Sequence, residues 1–237
     1  MAERQGMAVV GELAAVADRS LQASTFFAGL RAGDHDLERV RGVFGQYYLW
    51  RNGFHRWFGV CIVRSPAFGT GVDTAYILSE LTEHIDQEIA GDHHAMCRTF
   101  LEALGVDADA VRPLAVTDAY CRSFPTRYLD PARTGEEALA ALAGRELVAP
   151  ARNRLIVDAL SGHYGVTAGL DFFDLHEDLE AEHFEALWEA LTRTRSVDPN
   201  VLYEAASTEI VDHVRFWDDV FAAVAAPRWA MAGVAGR

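Results

Sequence analysis

The stretch Phe172-Phe-Asp-Leu-His-Glu-Asp-Leu-Glu-Ala-Glu-His-Phe184 carries both the period of an α-helix and the densest chemistry of the chain. His176, Glu180 and His183 stand at i, i+4 and i+7. At about 100° per residue they fall at roughly 0°, 40° and −20°, a single narrow stripe. Leu179 lies beside that stripe, while Asp178 and Glu182 point away. Two imidazoles and a carboxylate on one stripe, flanked by Phe172, Phe173, Phe184 and Trp188, make a donor set for a transition metal: imidazole suits iron and zinc, and carboxylate holds and bridges harder ions. The competing reading is a solvated charged face. The HExxH spacing of zinc peptidases is absent, because His176-Glu177 is followed by the next histidine only at 183.

The same 3.6-residue period runs outward in both directions. It predicts helices over residues ~7–29, ~36–64, ~73–89 and ~92–104, with breaks at Ser65-Pro66, Gly69-Thr-Gly71, Gly91 and Gly105. Pro113, Pro125 and Pro131 point to short helices and connectors between 106 and 131. Thr134-Gly-Glu-Glu137 is a capping box that opens a long helix, in which Pro150 kinks the path without ending it. Further helices are expected over ~167–195 and, from the Asp198-Pro199 start signal, to about residue 225. No sustained alternation and no linker long enough to divide domains occurs. The expectation is an all-α fold, one helical bundle of seven to eight helices spanning 1–237.

Composition narrows the function. The 237 residues carry 35 acidic and 21 basic side chains, a net charge of −14. Every basic residue is arginine, which excludes Schiff-base, pyridoxal-phosphate and Walker-type lysine chemistry. The acidic balance argues against nucleic-acid and polybasic membrane partners. No apolar run reaches the ~20 residues of a membrane span, and Met-Ala-Glu-Arg-Gln-Gly does not read as a secretion signal, so a cytoplasmic protein is expected. Cys61, Cys97 and Cys121 are odd in number and contain no CxxC, as for reduced thiols. Nothing in this composition opposes a homodimer.

Two more regions place acids or imidazoles on apolar faces. In Glu80-Leu-Thr-Glu-His-Ile-Asp-Gln-Glu-Ile-Ala-Gly-Asp-His-His94, Glu83 and His93 are ten residues apart across the Gly91 bend. His93 heads a face formed by Met96, Phe100 and Leu104. Glu80, Asp86 and Glu88 compete with Glu83, Asp86 being its first alternative, and His94 is the alternative to His93. Farther on, Glu146 has Leu139 and Leu142 as its i−7 and i−4 neighbours, and an acid there must be paired or metal-bound. Pairing with Arg145 is disfavoured, since consecutive helical residues do not share a face. Only one Glu-x-x-His motif, Glu180-Ala-Glu-His183, is present, which disfavours a ferritin-like bundle.

The order Glu83…His93, Glu146, then His176-x3-Glu180-x2-His183 resembles the haem-oxygenase-like di-iron oxidases and oxygenases over most of the chain. The resemblance implies the ligands Glu83, His93, Glu146, His176, Glu180 and His183, with Glu80, Asp86 or Glu88 as an extra acid. It implies two Fe(II) ions, O2 as co-substrate, and no catalytic groups beyond the metal ligands. The reaction expected is oxidation of a small amine or amino acid, by N-oxygenation or by oxidative C–C cleavage or desaturation, in natural-product biosynthesis. Tyr47, Arg51 and His55 are candidate substrate contacts, with Arg51 suited to a carboxylate. Alternatives within the same fold are cofactor-free: a thiamin-salvage hydrolase using Cys121 or Cys97, and a quinone-forming oxidase. A haem- or ligand-binding helical protein is a third.

Overall fold

The computed structural model of the chain describes residues 2–65, 74–192 and 198–224. Ten helices and no strands occur among them: α1 Ala2–Ala23, α2 Thr25–Ala32, α3 Leu37–Arg51, α4 His55–Arg64, α5 Thr74–Ala90, α6 His93–Leu104, α7 Ala115–Tyr128, α8 Gly135–His163, α9 Asp171–Thr192 and α10 Pro199–Ala223. The all-α expectation holds. The larger count has local causes.

The apolar pattern over 7–29 continues through Ser24, but the chain there leaves helical geometry. Ser24 caps α2 by accepting from the Phe27 amide at 3.2 Å, and its hydroxyl donates to Asp218 on α10 at 2.7 Å. A polar anchor thus divides one periodic segment in two. The 36–64 segment is interrupted at Asn52–Phe54 by a tightened turn, in which the Gly53 amide donates to Trp50 and the Phe54 amide to Arg51, so that α3 and α4 are separate. Between 106 and 131 the structure corrects the expectation of short pieces. α7 is one 14-residue helix that contains Pro125. The capping box at Thr134 and Glu137 forms as read, and α8 carries on through Pro150 for 29 residues. Asp198 caps α10 with Pro199 at its first turn. The breaker at 66–71 lies outside the described residues.

α8 is the axis of the bundle. It packs along α9 on one side and α10 on the other, and also meets α1, α2, α4 and α7. Aromatic side chains fill the space around it. Trp217 stacks on Tyr47 at 4.9 Å and on Phe26 at 5.6 Å, and Trp57 stacks on Phe124 at 4.6 Å. Each ring taken fully out of water contributes roughly 2–3 kcal/mol against the entropy of ordering it.

The α8–α10 contact depends on Gly144. A Cβ built there would lie 2.4 Å from the Ala206 carbonyl oxygen and 2.8 Å from its Cα, both backbone atoms. Gly144→Ala is therefore expected to push the two helices apart and to cost about 2–3 kcal/mol, overpacking outweighing alanine's better helix propensity. A urea midpoint unchanged or raised in that variant would show that the helices do not approach this closely.

Candidate metal centre

Four helices, α5, α6, α8 and α9, bring the chemistry inward. On α5, Ile77, Leu81, His84 and Glu88 follow one helical stripe, and Ile77, Leu81 and His84 are buried. α9 places His176, Glu180 and His183 on its buried face, and α8 supplies Arg145 and Glu146 with no exposed surface at all. The chain then reverses after α5. Asp92 adopts φ 53°, a left-handed conformation that aspartate tolerates, and a Cβ at Gly91 would lie 2.6 Å from His93 Nε2. This tight bend folds His93 back onto Glu88.

The result is two donor groups. His84, Glu146, Glu180 and His183 form one, and Glu88, His93 and His176 the other, with the donor atoms of each group within 4.8 Å of one another. In the first group the His84 and His183 rings stand 3.2 Å apart, centroid to centroid. In the second, Glu88 accepts a hydrogen bond from His93 Nδ1 at 2.9 Å, and the His93 and His176 rings are 4.5 Å apart. Phe58 covers His84 at 4.4 Å and Phe172 covers His176 at 4.5 Å.

Hydrogen bonds fix which imidazole nitrogen is free. His176 Nδ1–H donates to the Phe172 carbonyl at 2.6 Å, which leaves the Nε2 lone pair pointing into the group. His183 Nε2–H donates to Gln87 Oε1 at 2.7 Å, which leaves Nδ1 free. Burial holds both in the neutral, ligating form, pulling His176 down to about 4 and His183 to about 3. Burial also pushes the Glu180 carboxyl up, against the opposing pull of Arg145. For Glu88 burial acts in the same upward direction. The Arg51 guanidinium and the hydrogen bond from His93 outweigh it and hold the carboxyl far below its ordinary range.

Several buried donor atoms have no hydrogen-bond partner: His84 Nε2, His183 Nδ1, Glu146 Oε1 and Glu88 Oε1. All four belong to the two groups. An orphaned buried polar atom costs about 1–3 kcal/mol, so a site that gathers four of them fits cations that would satisfy them.

Residues 41–210, a stretch containing all seven donors, match the family described as iron-containing redox enzymes. The chain belongs to that family. No curated protein matches it. Among solved structures, this iron-containing redox enzyme family member is similar to a CADD-like protein of unknown function from Nostoc punctiforme PCC 73102 (TM-score 0.73, 18% identity, 93% of this chain and 99% of that one). It is also similar to a domain of unknown function with a heme oxygenase-like fold from Shewanella denitrificans OS217 (0.71, 18%, 90% and 90%). A TenA family transcription regulator from Silicibacter sp. TM1040 is a third (0.66, 21%, 90% and 96%). The fold is haem-oxygenase-like.

Of the six ligands that the resemblance implied, His93, Glu146, His176, Glu180 and His183 lie in the two groups. Glu83 does not. It is exposed beside Asp86 on the outer face of α5, about 240° around the helix from Ile77. The acid within reach is Glu88, which competes with Glu83 in the sequence, and His84 joins the site although the sequence does not single it out as a ligand. His94 is exposed and bonds Asn52 Oδ1 at 2.8 Å, so the imidazole that enters is His93. Arg145 does pair with Glu146, at 2.7 Å, contrary to the rule of faces. Its long side chain also reaches Glu180 at 3.0 Å. Among the substrate candidates, Arg51 is inside, bonded to Glu88 and to His176 Nε2. Tyr47 is buried against Trp217, and His55 is exposed on α4. No helix among the described residues is long and apolar enough to cross a membrane.

Proposed function

We propose that this chain is a non-haem di-iron oxidoreductase that uses O2 to oxidise a small amine or amino acid. The observation that carries this reading is the pair of adjacent buried groups, one of four and one of three donors, whose unpartnered atoms belong to the candidate ligands. His84, Glu146, Glu180 and His183 would hold one ion, and Glu88, His93 and His176 the other. Two ferrous ions there would supply the electrons and open positions that O2 reduction needs. The protein's own part is to orient and exclude. Gln87 and the Phe172 carbonyl fix the imidazole tautomers, and Phe58 and Phe172 keep bulk water from the donor atoms. Arg51 is the cation at this site suited to a substrate carboxylate.

The thiol-dependent hydrolase reading gains no support from the cysteines. Burial pushes the Cys97 thiol up to about 12 and raises Cys121 as well, which leaves neither poised as a nucleophile.

The test is anaerobic addition of Fe(II) to the metal-free protein, with iron counted after removal of excess, followed by mixing with O2 under visible-absorption detection. The expected result is two irons per chain and a transient absorption, both lost in His176→Ala and His183→Ala. Fewer than one iron per chain, unaffected by those substitutions, would sink the reading. A panel of amino acids, amines and fatty acids then separates substrate classes by stimulated O2 uptake.

A further inference from the structure

Each donor group already contains a cation of the chain's own. In the first, one terminal nitrogen of Arg145 donates to Glu146 Oε2 at 2.7 Å and to Glu180 Oε2 at 3.0 Å. The guanidinium is wholly buried, with its plane carbon 3.8 Å from the Phe54 ring centroid and 5.0 Å from that of Trp50. Its Nε and second terminal nitrogen find no acceptor. In the second group Arg51 pairs with Glu88 and donates to His176 Nε2 at 3.1 Å, the same lone pair that the Phe172 hydrogen bond leaves free for a metal. Two groups of donors thus hold two guanidinium ions.

We propose that Arg145 and Arg51 are built-in stand-ins for the metal ions: each neutralises and gathers one donor group in the metal-free protein, and each must yield its contacts when that group takes a divalent cation. The inference rests on the di-iron reading, and it concerns what sets metal affinity there.

Charge arithmetic gives the sign. The first group has two carboxylates and the second has one. With Arg145 present, a divalent ion would leave the first group one charge positive, and without Arg145 it would be neutral. With Arg51 present, a divalent ion would leave the second group two charges positive, and without it one. Buried excess charge is expensive at short range, so both arginines oppose metal entry. In the metal-free state they do the reverse, since without them buried carboxylates stand unpaired. An arginine of this kind stabilises the empty protein and weakens the loaded one. A purely structural arginine stabilises both.

That difference is measurable with Mn(II), whose free ion is counted by its EPR signal, and with thermal melts run with and without Mn(II). Arg145→Gln and Arg51→Gln are each expected to bind one Mn(II) at least about tenfold more tightly than the unsubstituted protein. Their metal-free forms should melt lower, while their Mn(II)-loaded forms keep most of the loss restored, since binding to the folded state alone adds stability. Arg145→Lys, which retains the charge, should stay within about threefold of the parent affinity. Should Arg145→Gln fail to fold without metal, Arg51→Gln, at the partly accessible group, provides the measurement, and rescue of Arg145→Gln by Mn(II) counts in favour. Affinity unchanged or weakened in folded Gln variants overturns the proposal. So does an equal fall in the melts of the metal-free and loaded forms. If the parent binds two ions and the variants bind no tighter, this inference alone fails. If the parent takes up neither Mn(II) nor Fe(II), the di-iron reading fails with it.

Discussion

Glu88→Ala is expected to eliminate one of the two Fe(II) sites, with at least about a hundredfold loss of affinity at the Glu88–His93–His176 group, whereas Glu83→Ala should leave both sites intact. Glu88 is the only carboxylate in its group. Without it, two imidazoles and the Arg51 guanidinium would face an incoming dication, and the buried positive charge would have no counterion. Glu83 is exposed on the opposite side of the same helix, and no donor group includes it. Its removal takes nothing from the interior. Anaerobic Fe(II) titration of both variants with metal analysis decides the matter. An iron lost in Glu83→Ala and retained in Glu88→Ala would mean that α5 enters the site in a different helical phase.

That pair of substitutions marks where sequence reasoning stopped. The helical character of almost every segment, the capping box at Thr134 and the inward stripe of α9 follow from local periodicity, and all three are present. On α5 a similar periodic signal was in the sequence, because Ile77, Leu81, His84 and Glu88 repeat at spacings of four, three and four. The reading of Glu83 rests instead on its ten-residue separation from His93 across the Gly91 bend. Separation along the chain does not fix helical phase, and phase decides which acid faces inward. Arg145 was missed for another reason. The rule that consecutive residues face apart holds for Cβ directions, but a guanidinium several bonds out can turn back onto its neighbour's carboxylate. The division at Ser24 was beyond local reading, because its anchor is Asp218, 194 residues away.

The second large effect lies outside the metal centre. Between α7, α8 and α10, Tyr120 donates to Glu209 Oε1 at 3.1 Å and stands 3.0 Å from His213 Nδ1, while Arg152 donates to His213 Nε2 at 2.6 Å. Glu209 is 1% exposed. Burial, reinforced by Asp212, outweighs the opposing Arg127, Tyr120 and Arg145 and pushes its carboxyl from an ordinary 4.5 up to about 8. Above pH 4.5 the unfolded chain releases this proton while the folded protein keeps it. The folded state thus binds more protons, and stability must fall as pH rises until the folded group titrates near pH 8. His176 and His183 act in the opposite direction in a lower window. With folded values of about 4 and 3 against an ordinary 6.5, they add stability as pH rises from about 3 to 6.5 and little above it. Glu209→Gln keeps a carbonyl to accept from Tyr120 and has no proton to lose. Relative to that variant, the parent protein is expected to lose about 2 kcal/mol of unfolding free energy between pH 6 and pH 8. Comparing the two slopes, by urea unfolding at half-unit steps, cancels the histidines and any constant offset from the new amide. Parallel slopes would mean that Glu209 is already ionised at pH 6, with Arg127, 3.8 Å away, holding its charge.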